Sequence, residues 1–401
     1  MRKNSFYYLW AGQSLANSGD IFYIVGMISV LYITTGSPIL TTLVPFTITF
    51  SRFFGGITAP LVIDKLRLKK MLIVSQLLKT IILLLLYILI TTLNSFDHNI
   101  FSLFPLIALI AFLDGWATPA RNSLLPFLIP SDKLVRINSL LSMTDQIIQL
   151  GGWSTGAILV AIFGGEILIF ITLVLFIVST ILMFLILENK NDHQEKKETK
   201  SRLLSLKEGW VTVWNVLTLR TISFIDIFDS IAGVVWIAAI MYIYVEEILN
   251  KSEAWWGYIN SAYFFGVIVG GFICFKGEKL VKEHAYRNIL VSSILIGILT
   301  VSFGYTSIGW LALLISSLVG VSSQIKFITQ LTIIQTVTSK DILAKVFSVR
   351  DTILTGTFGV SALIFGLIAD IFHIHIVFII SAFLIFTSSL ITFTMRKHLK
   401  I

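Results

Sequence analysis

Gln13, Asn17 and Asp20 recur at i, i+4 and i+7, the spacing that sets three polar groups on one helix face inside an otherwise apolar stretch. Asp226 and Asp229 stand at i and i+3 with Ser230 beside them, again on one face. A carboxylate withdrawn from water and set near a like charge can bind and release a proton close to neutral pH, so Asp20, Asp226 and Asp229 are candidate proton or cation sites. The competing reading is structural: each is paired with a Lys or Arg, or capped by Ser and Asn. Arg52 is suited either to pairing with one of these carboxylates or to touching a cargo. Asp114, Thr118 and Arg121 make one stripe, and Asn138, Ser142, Asp145, Gln149 and Gly152 make a second. Two such stripes on successive helices predict mutual contact or a wet cavity. Arg121 lies near the cytoplasmic end and reads as an inner-leaflet anchor or a salt-bridge partner of Asp145 at least as well as a substrate-binding residue, whereas Asp114 lies deeper. Lys326 and Gln330 share a face, and Lys326 is placed to neutralise Asp226 or Asp229 or to attract an anionic substrate group.

Enzyme chemistry is not supported. Six scattered histidines form no His-Glu-x-x-His and no nucleophile–base pair, and the single cysteine, Cys274, rules out a disulfide framework and a thiolate metal site. The expectation is therefore no catalytic residues, no metal and no cofactor. Trp10, Tyr23, Tyr32, Trp116, Trp236, Tyr242 and Tyr258 line an apolar pocket or anchor the chain at the membrane interface.

The elements that carry these residues are set by composition. Of 401 residues 56% are hydrophobic and 13% charged, with a mean hydropathy of +0.90, against about 25% charged in soluble domains. A bilayer-spanning helix needs about 20 apolar residues. Apolar runs fall near 8–34, 41–63, 71–93, 101–123, 137–163, 166–187, 221–246, 254–275, 288–307, 309–332, 346–371 and 374–395. They lack period-2 alternation, and in lipid their backbone groups must be satisfied within each run, so twelve helices are predicted. The opening Met1-Arg2-Lys3-Asn4 precedes no small-residue cleavage site, so no removable signal is expected.

Basic residues cluster in every second loop: Lys65, Arg67, Lys69 and Lys70; Lys133 and Arg136; Lys276, Lys279, Lys282 and Arg287; Lys340 and Lys345. The opposite loops carry Lys251 alone. Positive loops stay inside, which predicts a multi-pass cell-membrane protein with both termini cytoplasmic. The net charge of +8 is thus a topology signal, and nucleic acid is not an expected partner.

The one long hydrophilic stretch, 188–220, divides the chain into expected six-helix bundles at 1–187 and 221–401. Its first part reads as a mobile linker, and Leu203, Leu204, Leu206, Trp210, Val211 and Trp214 form the apolar stripe of a helix lying on the membrane surface. A shift of 209 residues places Asp20 on Asp229, Asn17 on Asp226, Asp132 on Asp341, Arg136 on Lys345 and Ser139 on Ser348. With six more residues in an outer loop, Gly55-Gly56 falls on Gly270-Gly271. A parallel repeat of this kind, with a site at mid-membrane, is one architecture of secondary transporters. The predicted fold is an all-α integral membrane protein with twelve transmembrane helices in two six-helix pseudo-repeats around a central cavity. Glycine pairs at 152 and 156, 266 and 270, and 356 and 359 permit close helix packing or a sliding contact.

Trp10-Ala11-Gly12-Gln13 followed by Asp20 and Thr35-Gly36-Ser37, Thr118-Pro119-Ala120-x-Asn122, and Val346-Phe347-Ser348 carry a family resemblance. The chain resembles the major facilitator superfamily over its whole length, specifically twelve-helix exporters of the macrolide-efflux and siderophore or metallophore type. The superfamily's loop 2–3 signature is represented by Asp64, Lys65, Lys69 and Lys70 with Gly56 upstream, and the resemblance implies that these residues latch the halves. The signature's glycines fall on Pro60 and Arg67, which implies a kinked span end and a looser latch; the arginine of many proton-driven members falls on Ile110; and Gly151-Gly152-Trp153-Ser154-Thr155-Gly156 replaces the antiporters' Gly-Pro motif. What the resemblance implies is a secondary active exporter of a small amphipathic or zwitterionic molecule, coupled to protons in antiport, with a metallophore or a hydrophobic antibiotic as cargo. Gln13, Asn17, Asp20, Arg52, Asp114, Asp226, Asp229, Lys326 and Gln330 are the expected substrate or proton residues, with Asp145 and Arg121 among the gating ones. An importer or facilitator and a non-transporting receptor are the alternatives.

Overall fold

The computed structural model describes residues 2–92, 100–187, 202–236 and 238–399. The expected mobile linker at 188–201 and all but the last residue of the outer loop at 94–100 lie outside the described residues. Among these residues the chain forms α1 (Arg2–Thr35), α2 (Pro38–Ile63), α3 (Leu68–Thr92), α4 (Leu103–Leu128), α5 (Leu134–Phe163), α6 (Gly165–Phe184), α7 (Arg202–Asn215), α8 (Leu217–Ala232), α9 (Ala238–Glu247), α10 (Ala254–Lys276), α11 (Glu278–Glu283), α12 (Ala285–Tyr305), α13 (Gly309–Val337), α14 (Leu343–Ile371) and α15 (Ile374–Thr394). Local chemistry sets the turns between them. Ser37 accepts a hydrogen bond from the Leu40 amide as the N-cap of α2, with Pro38 pre-set for its first turn. Gly164 joins α5 to α6 at φ 83°, a conformation that side chains rarely adopt.

Eleven described helices are long and apolar enough to cross a membrane, and the pair Leu204–Asn215 and Leu217–Trp236, bent by 93°, is the candidate for a twelfth crossing. The seventh span, expected as one helix over 221–246, is instead broken. Its first part ends at Ala232, the chain tightens into a 3-10 turn over Gly233–Trp236, and α9 resumes at Ala238. Gly233 lacks the side chain that would favour continuing the helix, and the freed Ala232 carbonyl accepts the Ser381 hydroxyl at 2.8 Å. A break in a span persists where protein re-satisfies the backbone, as here.

Within each half the helices pair in the same way. In the first, α1 packs on α6, α2 on α4, and α3 on both α4 and α6; in the second, α8 packs on α15, α10 on α13, and α12 on both α13 and α15. This correspondence is the pseudo-repeat in three dimensions, and the protein is an all-α integral membrane protein of two six-helix repeats. By packing, the chain divides into two compact units, one holding Met1–Pro130, Ile147–Trp210 and Lys340–Thr352, the other Ser131–Gln146, Val211–Ser339 and Ile353–Ile401. The first unit has a core of Tyr23, Met27, Leu83, Ile107, Ile169 and Phe176; the second is centred on Tyr244, Phe303 and Phe378, whose rings meet at 4.5–5.7 Å. Exposed Ile81, Leu85, Phe170, Ile177, Leu363 and Phe383 present apolar surface suited to lipid.

Glycines fix the depth of two contacts. A Cβ on Gly55 would collide with the Phe112 carbonyl and one on Gly115 would lie 2.7 Å from the Arg52 carbonyl, so α2 and α4 touch backbone to backbone. Gly270 does the same for α10 against Val321 of α13, at 2.6 Å. Gly152 and Gly156 pack on Ile21 and Val25 of α1, while Gly359 has open space around it and makes no close approach.

Candidate functional site

The first unit encloses four charges near mid-span. Arg52 lies 14 residues from Pro38 and 11 from Ile63, Lys79 lies 11 from Leu68 and 13 from Thr92, and Asp114 lies 11 from Leu103 and 14 from Leu128. At about 1.5 Å per residue each is about 16–21 Å from either helix end. The Lys79 ammonium donates to both Asp20 oxygens, at 2.9 and 3.1 Å, and to Oδ1 of Asp114 at 3.0 Å. Arg52 grips the other Asp114 oxygen, completing the chain Asp20–Lys79–Asp114–Arg52. The Phe176 ring covers Lys79, 4.9 Å from its nitrogen. Two cations and two anions cancel, which is the condition for keeping ionised groups out of water. The backbone contact at Gly55 and Gly115 holds Arg52 against Asp114.

Exposure is uneven within this cluster. The Lys79 side chain is 1% exposed and both carboxylates 14%, but Arg52 is 42% exposed. Asp20, Arg52 and Asp114 line a pocket whose other walls include Tyr23, Ile48 and Ile110. Gln13 and Asn17, the other members of the expected α1 stripe, are bonded to each other at 2.8 Å, and the Gln13 carbonyl oxygen is buried with no hydrogen-bond partner among the described residues.

The second unit carries a smaller cluster. Lys326 of α13, 3% exposed, pairs with Asp229 of α8 at 2.5 Å and donates to the Ser388 hydroxyl of α15 at 3.1 Å. Asp226 is buried one turn before Asp229, whose side chain remains 28% exposed. Gln330, one turn beyond Lys326, is buried with its amide nitrogen unpartnered among the described residues. Asp20 and Asp229 coincide under the 209-residue shift, and each is held by a buried lysine, but the lysines come from non-equivalent helices: the third of its half for Lys79, the fourth for Lys326.

A third group lies in the first unit where α2 ends. Pro60 has no N–H for the Gly56 carbonyl one turn back, and the Ser348 hydroxyl from the start of α14 donates to that carbonyl at 2.5 Å. Lys345, 1% exposed, pairs with Asp64 at 2.5 Å and with Glu208 of α7 at 2.7 Å. The Ser205 hydroxyl reaches the Asp64 carboxylate and lies 3.1 Å from the Pro60 carbonyl. Pro60, from which a loose span end was expected, thus presents an acceptor that α14 uses. Lys65 and Lys70 are exposed and Lys69 is half-buried, and none makes an ion pair among the described residues. Arg121 and Asp145 are half-buried, Arg121 lying 3.4 Å from the Asn122 amide oxygen.

Residues 10–356 match the major facilitator superfamily. The chain belongs to that superfamily. It is 30% identical to the MFS-type transporter YfmI of Bacillus subtilis (strain 168) over 98% of this chain and 97% of that protein. The MFS-type transporter YjbB of the same organism is 27% identical over 97% and 94%. Among solved structures, a bacterial homologue of the iron transporter ferroportin in an outward-facing state superposes with a TM-score of 0.77 at 13% identity, covering 98% of this chain and 99% of that one. The E. coli fucose:proton symporter FucP gives 0.75 at 13% identity, covering 97% and 98%. At such identities the likeness carries the fold alone.

Superfamily membership makes the protein a secondary transporter of small molecules that works by alternating access, and not an enzyme. Lys79, Ser205 and Glu208 went unrecognised as functional candidates in the sequence. Lys79 is the only charged residue between Lys70 and Asp97, and the roughly 2.5–3.5 kcal/mol cost of a charge at a span centre was the signal available for it. Ser205 and Glu208 belong to the linker helix α7, where nothing local marks them as partners of α2 and α14.

Proposed function

We propose that the protein is a proton-coupled exporter of a small amphipathic or zwitterionic molecule, with both termini in the cytoplasm. The observation that carries this reading is the Lys326–Asp229 pair, in which a buried ammonium is matched by a carboxylate that remains 28% exposed. Of the two partners only Asp229 is accessible to a proton. Protonation from outside neutralises Asp229 and strands Lys326 in a poorly solvated site, and a buried pair broken on one side is unfavourable by about 3–5 kcal/mol. That penalty is the lever by which a proton changes the preferred state and discharges cargo. Deprotonation toward the cytoplasm restores the pair. Asp20, Asp114 and Arg52 in the first half, with Gln13 and Asn17 nearby, and Asp226 and Gln330 in the second, are the remaining cargo or proton residues. Asp64, with Gly56 and Lys65, Lys69 and Lys70 around it, is the latch, and Arg121 and Asp145 are further gating groups. The moving parts are the bundles 1–187 and 221–401, joined by 188–220.

The subgroup resemblance supports the outward direction and two cargo classes, a metallophore and a macrolide-like antibiotic. In everted membrane vesicles, with uptake normalised to folded protein because the stranded Lys326 lowers its yield, Asp229→Asn is expected to abolish cargo uptake driven by a pH gradient; undiminished uptake removes Asp229 from the mechanism. Mass spectrometry of medium and cytoplasm from metal-starved cells with and without the protein reads cargo and direction together. A chelator retained inside the deletion strain supports metallophore export. An unchanged profile shifts the weight to the antibiotic.

A further inference from the structure

The pocket of the first unit exposes its charges unequally. Arg52 is its most exposed charge, at 42% against 14% for Asp20 and Asp114. Its guanidinium has five N–H groups in a planar fork, and Asp114 is bonded to one of its terminal nitrogens. At about 16 Å or more from either end of α2 the side chain cannot reach a lipid headgroup, so its exposed edge has to meet water or a ligand. A second observation points into the same pocket. Tyr23, 2% exposed, is one of its walls, and its hydroxyl is buried with no hydrogen-bond partner among the described residues. An unused buried donor is unfavourable by about 1–3 kcal/mol, a cost that a ligand acceptor removes. The two carboxylates do not repel an anion strongly, since Lys79 and Arg52 balance them. We propose that this pocket is a carboxylate-binding subsite for the cargo, in which the Arg52 guanidinium and the Tyr23 hydroxyl donate to the anionic end of an amphipathic molecule whose remainder lies outside the pocket.

The proposal rests on the export reading and narrows it. A carboxylate-bearing chelator fits the subsite, and a cationic macrolide without a carboxylate does not. Lys79 acts here as a positioning residue, fixing the Asp114 oxygen opposite Arg52.

The test compares dansyl-histidine with its methyl ester, two fluorescent probes that differ in the carboxylate, on the full-length protein in lipid nanodiscs without any gradient. The wild-type protein is expected to bind the acid about ten-fold more tightly than the ester, as suits a charge-assisted fork. Arg52→Gln brings that ratio to about one, and Tyr23→Phe lowers it about three-fold, the loss of one hydrogen bond. Because Arg52→Gln unbalances the cluster, the charge-matched pair R52Q with D114N is measured beside it. Loss of preference in a double variant that keeps the wild-type melting temperature supports recognition by Arg52. Equal binding of acid and ester by the wild type, no binding of either, or a preference that survives in the double variant overturns the proposal. Failure of the export reading shows elsewhere: a carboxylate preference at equilibrium without gradient-driven flux sinks export and leaves the subsite standing.

Discussion

Lys79 holds together what three other residues only begin. Its ammonium is shared between Asp20 and Asp114, so removing it leaves two carboxylates near mid-span with Arg52 as the one remaining cation of the cluster. Lys79→Met keeps the length and apolar stem of the side chain but is expected to destabilise the protein by about 3–5 kcal/mol, the range for breaking a buried pair on one side. The measurement is the yield and melting temperature of detergent-solubilised protein. Adding Asp20→Asn restores the charge balance and should recover most of the loss. A single variant as stable as wild type would remove Lys79 from its central place. The carboxylates were legible from the sequence because they fall on helical stripes, i and i+7 or i and i+3. Lys79 belongs to no stripe and sits in a run of leucine and isoleucine, so only the cost of its burial marked it, and its partners, 59 and 35 residues distant, carry no local trace.

Between elements, the decisive device is a missing hydrogen bond. Pro60 leaves the Gly56 carbonyl without its helical donor, and Ser348 supplies one from α14. Ser348→Ala should therefore cost about 1–3 kcal/mol in the presence of Pro60, because a buried acceptor is left unmade. In a Pro60→Ala background the restored amide serves Gly56, and the same Ser348→Ala change should be close to neutral. A double-mutant cycle on thermal stability reads this directly, and additive effects would show that the two positions are uncoupled. The spans themselves were legible in the sequence, since their length and hydropathy follow from bilayer thickness. The break of the seventh at Gly233 was not: a single glycine in an apolar run reads as packing, and the break depends on Ser381, which lies 149 residues away. The linker helix is expected to carry an apolar stripe, of which Leu204, Trp210, Val211 and Trp214 are exposed and Leu206 is half-buried. Its packed face of Ser205, Gly209 and Val213 is small and mixed, so hydropathy gave no warning that it clasps Asp64 and Lys345.

On the scale of the whole molecule, the repeat governs helix pairing while the charges depart from it. Both halves build the same four contacts, yet one places its buried mid-span lysine on the third helix and the other on the fourth, and among the described residues only the first has the four-charge chain. Such asymmetry suits the proposed division of work, recognition in one half and proton coupling in the other, and that proposal has meaning only once the sides of the membrane are fixed. Basic residues on one set of loops serve more than topology, since Lys345 is buried in an ion-pair group, Arg136 stacks on Phe275 at 4.5 Å and Lys340 on Phe127 at 4.8 Å. The orientation therefore has to be tested on residues outside those contacts. The chain has one cysteine, Cys274, which is fully buried, so Cys274→Ala gives a background in which an introduced thiol is the sole target. In intact cells a membrane-impermeant maleimide should label Lys251→Cys and leave Lys70→Cys untouched until the membrane is permeabilised, as the positive-inside rule requires. The reverse pattern would invert the molecule, place the α2–α3 loop and the Asp64 group outside, and turn the proposed proton entry at Asp229 toward the cytoplasm, which would undo the antiport cycle as drawn.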